Sequence, residues 1–265
     1  MTTDIEQTAG ADKYSTNLYE NQPPVISRIQ TSGTDNEYIH IGNTIVRKDE
    51  LVEAFAGDLN PALHTLPSRK LANPTPLGLS AFGLTTFVLS LINLGTRGVH
   101  TQNILIGVTL FYGGAIQVIA GLFEFVLENT FGATALTSFG AFWITFGAIL
   151  TPSFGIISGY EDPTELDRAL GLYLLSWFIF VTMMTFLTIR STVPFFVLFF
   201  TTDMAFLTLG IGHLLSSSKC IKAGGWFGVV ASFLAWYVAF AGLATKENCY
   251  IQIKPWFMPG AHRLK

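Results

Sequence analysis

The sequence predicts an all-α membrane protein with six transmembrane helices. Three observations predict it: scarce charge, six long apolar runs, and basic residues shared unevenly between the connections. Half of the 265 residues are apolar, 12% are charged, and 23 are Phe. A soluble domain carries about a quarter charged residues, so much of this surface does not face water. The net charge of −3, with no basic tract, predicts no nucleic-acid partner.

The runs are Leu77–Leu94, Ile104–Leu127, Phe131–Leu150, Ala169–Ile189, Thr192–Leu214 and Gly224–Leu243. Each approaches the ~20 residues a helix needs to cross the hydrocarbon layer. Barrel strands would instead show ~10-residue alternating segments, and a soluble bundle would need a polar face on every helix. Six crossings put both ends on one side. That side carries Arg69, Lys70, Arg190, Lys246, Lys254, Arg263 and Lys265, against Arg97, Arg168, Lys219 and Lys222 on the other. The excess predicts cytoplasmic termini. The longest connection, Thr151–Arg168, holds Glu161, Asp162, Glu165 and Asp167 and is expected outside. No basic-then-apolar leader begins the chain, so the first span is expected to serve as the insertion signal.

Three regions follow. Residues 1–70 form a cytoplasmic N-terminal tail, 71–245 the six-helix domain, and 246–265 a cytoplasmic C-terminal tail. The polar composition of residues 1–37 predicts disorder. An ordered segment is expected near 38–57, with Tyr38–Gly42 extended and Lys48–Phe55 in amphipathic turns. Those turns read equally as an interfacial piece and as a poorly ordered linker. Asn60-Pro61-Ala62 spells a water-channel tripeptide but stands alone in a polar stretch. Cys220 falls in the last connection and Cys249 in the C-terminal tail, on opposite sides, so they cannot pair. No metal-ligand spacing, nucleophile–base pair or phosphate loop is present, so neither an enzyme nor a cofactor is expected.

The first span opens with Asn73-Pro74-Thr75-Pro76. Asn73 is expected as N-cap, with Pro in the first turn. Such an end attracts carboxylates, although on physics alone an ordinary helix start is the preferred reading. Phe82, Thr85, Thr86, Leu89 and Asn93 then recur on one face, mixing aromatic and hydroxyl groups that suit an inward position. Span two places Gly114, Gln117, Gly121 and Glu124 on one stripe, where glycines permit close approach and polar groups bond across it. A central ionised Glu124 would cost roughly 2.5–3.5 kcal/mol or more. It reads equally as a structural and as a proton-handling residue, and so does Asp203 in span five. Asp203 lies beside the stripe Phe195, Phe199, Thr202 and Phe206. His213, near the span end, reads as interfacial.

From Asn73 to Leu79 the chain resembles the Asn-Pro-Ala-Pro-Leu-Gly-Leu signature of the acetate uptake transporter family. That family includes bacterial succinate–acetate permeases and yeast proteins named for outward ammonia transport. The similarity continues through Phe82-Gly83-Leu84-Thr85-Thr86, Phe111-Tyr112-Gly113-Gly114, Gln117, Ala120-Gly121-Leu122 with Glu124, Asn129-Thr130-Phe131-Gly132 and Ser138-Phe139-Gly140. It returns at Ala235-Trp236-Tyr237 and Ala244-Thr245-Lys246 and spans residues 71–250. The resemblance implies a plasma-membrane homo-hexamer with a narrow pore in each protomer, passing acetate or similar monocarboxylates with protons. It implies a neck of Phe, Tyr and Leu. These positions fall on Phe82, Phe139 and Thr202, the last with a one-residue slip to Thr201 left open. Thr75 replaces the signature Ala. These departures resemble the fungal ammonia-export branch.

A dry aromatic neck penalises a bare charge far more than a neutral acid or ammonia. Asn73, Thr85, Thr86 and Gln117 are the expected substrate-binding groups, replacing lost water beside the neck. The leading expectation is therefore a monocarboxylate transporter or channel. Ammonia or ammonium export is the second reading, and an acetate sensor signalling through the N-terminal tail is a third.

Overall fold

The computed structural model describes residues 30–41, 43–54 and 71–261, and it divides into two units, Met1–Lys70 and Leu71–Lys265. In the first unit, β1 (Gln30–Ser32), β2 (Tyr38–Ile41) and β3 (Thr44–Arg47) pair antiparallel in that order. Ile39 is the buried residue of this sheet, opposite Thr31 on one side and Val46 on the other. A short helix, Lys48–Ala54, follows, with Asp49 and Glu50 in its first turn, where the helix dipole favours negative charge. Gln30–Asn36 was expected to be disordered and is instead ordered. Gly33 (φ 97°) and Asn36 (φ 56°) adopt the left-handed conformations that close the β1–β2 connection. Both residue types tolerate such turns, a signal that a search for large apolar residues passes over. Asn60-Pro61-Ala62 lies outside the described residues.

The second unit contains six helices long and apolar enough to cross a membrane: α1 (Thr75–Asn93), α2 (Asn103–Val126), α3 (Thr130–Leu150), α4 (Pro163–Leu187), α5 (Val193–Leu214) and α6 (Ser218–Leu243). Each overlaps one predicted run. The largest differences are at α4 and α6, which begin six residues earlier than the runs. Charged residues ended the predicted runs, but charge limits membrane depth, not helix length. Asp162 supplies the missing start signal for α4: its carboxylate accepts from the Thr164 backbone N–H at 2.9 Å and the Thr164 hydroxyl at 2.6 Å. Cys220, expected in a connection, consequently lies in the first turn of α6.

The entry to α1 also differs by one residue. Pro74, not Asn73, occupies the cap position. Asn73 nevertheless satisfies a free donor, because its Oδ1 accepts from the Thr75 N–H at 3.1 Å. Within α2 the segment Val108–Ile116 is a π-helix, which no periodicity announced. The Thr109 hydroxyl donates to the Leu105 and Ile106 carbonyls at 2.7 and 3.2 Å. Such back-bonding competes with the main-chain ladder and gives a local reason for the wider winding.

Around the bundle, α4 packs on α5, α5 on α6, α6 on α1, α1 on α2 and α2 on α3. Side chains close the ring between α3 and α4. Phe142 meets Trp177 at 5.3 Å between ring centroids, and the Thr145 and Tyr173 hydroxyls are 2.6 Å apart. Glycine sets the closest approaches. A Cβ on Gly121 would lie 2.6 Å from the Thr137 nitrogen, and one on Gly140 would lie 2.8 Å from the Val118 nitrogen. Backbone atoms cannot yield as side chains do, so α2 and α3 need both glycines.

Candidate functional site

The ring of helices encloses two cavities that share part of their walls. The first, of about 60 Å³, is lined by Phe82, Thr86, Ser90, Asn93, Gln102, Phe142, Trp143, Thr202, Phe206 and His213, with smaller apolar residues. The second, of about 70 Å³, is lined by Thr75, Phe82, Gln117, Asn129, Phe131, Phe139, Phe199 and Thr202, among others. Phe82 and Thr202 belong to both walls. Phe139 stands beside them in the second, its ring centroid 5.4 Å from that of Phe82 and 6.0 Å from that of Phe199. The stripe on α5 contributes here too, with Phe195 and Phe199 at 5.1 Å and both against Phe131. The three residues assigned to the neck from the sequence are thus brought together where the cavities meet.

Both cavities carry polar atoms that the protein leaves without partners. Gln117 is fully buried, and neither its Oε1 nor its Nε2 has a hydrogen-bond partner. The Thr86 hydroxyl and the Trp143 indole N–H are likewise buried and unpartnered, in the first cavity. An unsatisfied buried polar group costs ~1–3 kcal/mol. Three such groups thus belong to residues of the two cavity walls, and an unsatisfied buried polar group calls for an explanation. Trp143 was not assigned a role from the sequence. Ser90, Asn93, Gln102 and His213 were also outside the predicted site. Their helical spacing on α1 and their positions at helix ends were the available signals.

Other expected residues lie elsewhere. Thr85 is fully buried, donates to the Ala81 carbonyl at 2.8 Å and packs on Gly113. It faces the α1–α2 contact and lines neither cavity. Asp203, also buried, accepts from the Thr182 hydroxyl at 2.9 and 3.2 Å and ties α5 to α4. Glu124 is 1% exposed and lies at the centre of a junction. One oxygen accepts from the Thr75 hydroxyl, the other from Asn129 Nδ2 at 2.6 Å. Asn129 Oδ1 in turn caps α3 by accepting from the Gly132 N–H at 3.0 Å. Glu124 therefore joins the start of α1, the end of α2 and the start of α3. Neither carboxyl belongs to the wall of either cavity.

A third cavity, of about 380 Å³, adjoins the start of α1 and is lined by Asn73, Thr75, Pro76, Tyr237, Lys254 and Trp256, among others. Thr75 belongs to this wall and to that of the second cavity. The C-terminal segment is held against the start of α5, with the Val193 N–H donating to the Trp256 carbonyl at 2.7 Å and the Met258 N–H to the Ser191 carbonyl at 3.0 Å.

Six apolar helices around paired, polar-studded cavities define a membrane protein of transporter or channel type. The chain belongs to the GPR1/FUN34/yaaH family, whose model matches residues 55–260. It is 49% identical over 235 residues to ammonia transport outward protein 2 of Saccharomyces cerevisiae, covering 88% of this chain and 83% of the relative. It is 46% identical over 232 residues to acetate permease A of Emericella nidulans, covering 82% and 78%. Among solved structures it resembles the bacterial acetate channel SatP, with a TM-score of 0.60 and 38% identity, covering 66% of this chain and 93% of that one.

Proposed function

We propose that this protein conducts a short monocarboxylate such as acetate across the plasma membrane, in company with protons. The observation that carries the reading is the pair of cavities meeting at Phe82 and Thr202, each with unpartnered buried polar atoms in its wall. An indole N–H only donates, so Trp143 suits a carboxyl oxygen and cannot serve ammonium, which has no lone pair. Phe82, Phe139 and Thr202 form the narrow neck, and Thr86 and Gln117 receive the substrate on its two sides. The relatives named for acetate support this substrate class.

Ammonia export is the second reading. It is favoured by Phe139, which offers no hydroxyl, and by the relative named for ammonia transport. Cytoplasmic termini, supported by the excess of basic residues at that end, and assembly as a homo-hexamer complete the proposal. The test is flux into liposomes containing only this protein. Labelled acetate is expected to enter, faster with an inward proton gradient. Ammonium-driven flux without acetate flux would reverse the order of the two readings.

A further inference from the structure

Glu124 and Asp203 read from the sequence equally as structural and as proton-handling residues, and the walls of the first two cavities contain neither. Among the described residues, the one ionisable side chain in either wall is His213. It stands near the end of α5, and Asn93 at the end of α1 and Gln102 just before α2 line the same cavity. Its Nδ1 is 3.2 Å from Asp167 Oδ1 on α4. An ionised carboxylate only accepts, so Nδ1 carries the proton and Nε2 is the ring atom left for a ligand. Resting on the monocarboxylate reading, we propose that His213, held by Asp167, is a proton-dependent receiving group for the substrate carboxylate.

The chemistry follows from Nε2. In the neutral ring it is an acceptor, and a carboxylate, also an acceptor, gains nothing from it. In the imidazolium it is a charged donor, and a carboxylate gains a charge-assisted hydrogen bond. Asn93 and Gln102 offer amide donors in the same wall. Imidazole changes charge in the weakly acidic to neutral range, so affinity for the anion falls as pH rises. Charged and titratable groups on the elements packed around this end are Glu165, Asp167 and Arg168 on α4, Lys219, Cys220 and Lys222 on α6, and Arg97 and His100 in the α1–α2 connection. Asp167 is the one of these that lies within hydrogen-bond reach of His213.

The experiment is exchange of labelled acetate by the full chain in liposomes, with equal pH on both sides, from about pH 6 to about pH 7.5. Acetate, an ordinary carboxylate, stays almost wholly ionised across this interval. The wild-type KM is expected to rise by up to about tenfold per pH unit, the limit for one linked proton, with kcat little changed. His213→Gln should hold KM flat at the high-pH value. Asp167→Asn removes the carboxylate that holds Nδ1 and should raise KM at the low-pH end, and it tests the idea even if the first variant folds poorly. A wild-type pH slope in His213→Gln, or an unmoved profile in Asp167→Asn, overturns the inference while leaving acetate transport standing. Absence of acetate exchange in the wild type removes both.

Discussion

The two cavities share Phe82 and Thr202 but are finished differently at their far ends. Beyond the second cavity, Thr75 and Asn129 meet Glu124, and both oxygens of that buried carboxyl are engaged. Beyond the first, Asp167 is roughly half exposed and His213 about a quarter exposed, joined by one long contact. The first arrangement is a structural knot: buried, short-bonded and shared by three helix ends. The second is more exposed and shared by two helices only. Burial of a carboxyl alone therefore does not place it on a cavity wall: Glu124 lines neither cavity, whereas the less buried His213 lines the first.

Breaking the knot should have the largest effect. Glu124→Leu removes both hydrogen bonds of a buried carboxyl, to the Thr75 hydroxyl and to Asn129 Nδ2, and about 3 kcal/mol of stability should be lost. Thr75→Ala removes one donor only and should cost about 1–2 kcal/mol. Denaturation in detergent followed by tryptophan fluorescence would rank the two. Equal, small losses would show that the junction is not structural and return Glu124 to the list of proton carriers.

Phe82→Ala should come next. In a soluble core a Phe→Ala change costs about 3–5 kcal/mol, but lipid tails are as apolar as the protein interior. Mostly the cavity and contact terms remain, and a loss of about 2 kcal/mol is expected. The sharper readout is selectivity. Opening the shared wall should admit larger monocarboxylates such as benzoate, which the wild type should exclude. Unaltered size selectivity would place the proposed neck elsewhere.

Gln117→Leu should separate stability from function. Its amide has no partner in the protein, so an apolar replacement should be neutral or stabilising by about 1 kcal/mol. Acetate flux should fall about tenfold, the worth of one good hydrogen bond to the substrate. Such opposition is the expected signature of a binding group kept at the expense of the fold. A variant that is less stable and fully active would identify Gln117 as a packing residue.

Much of the fold was legible because the bilayer imposes one length and one polarity on each span. The runs located each of the six membrane helices found among the described residues. Hidden were features governed by local donors and acceptors: the Asp162 cap that lengthens α4, the Thr109 back-bonds in the π-segment, and the Gly33–Asn36 turn of the tail. The candidate site divides in the same way. Phe82, Thr86 and Gln117 stood on faces that periodicity marks as inward. Thr85 shared that face by spacing alone, but its hydroxyl turns back to Ala81. Trp143 was passed over and His213 read only as interfacial because partnering, which makes them informative, is a property of three dimensions.

The smallest effect belongs to Asp162, in the connection before α4. Its bonds from Thr164 hold its carboxyl below the usual carboxylate range, with a minor contribution from Arg168. A lowered folded-state value means that the ionised group stabilises the cap at every pH above the ordinary carboxylate value. That contribution fades as pH falls through the lowered one. The side chain is fully exposed, so solvent screens the effect. Asp162→Asn keeps an acceptor for the Thr164 N–H but has no charge to lose. Melting of the purified protein from about pH 6 to about pH 3 should therefore fall slightly more steeply for the wild type than for Asp162→Asn, and the two curves should converge at the acid end. A wild-type curve parallel to that of Asp162→Asn would mean that Thr164 needs only the acceptor and not its charge.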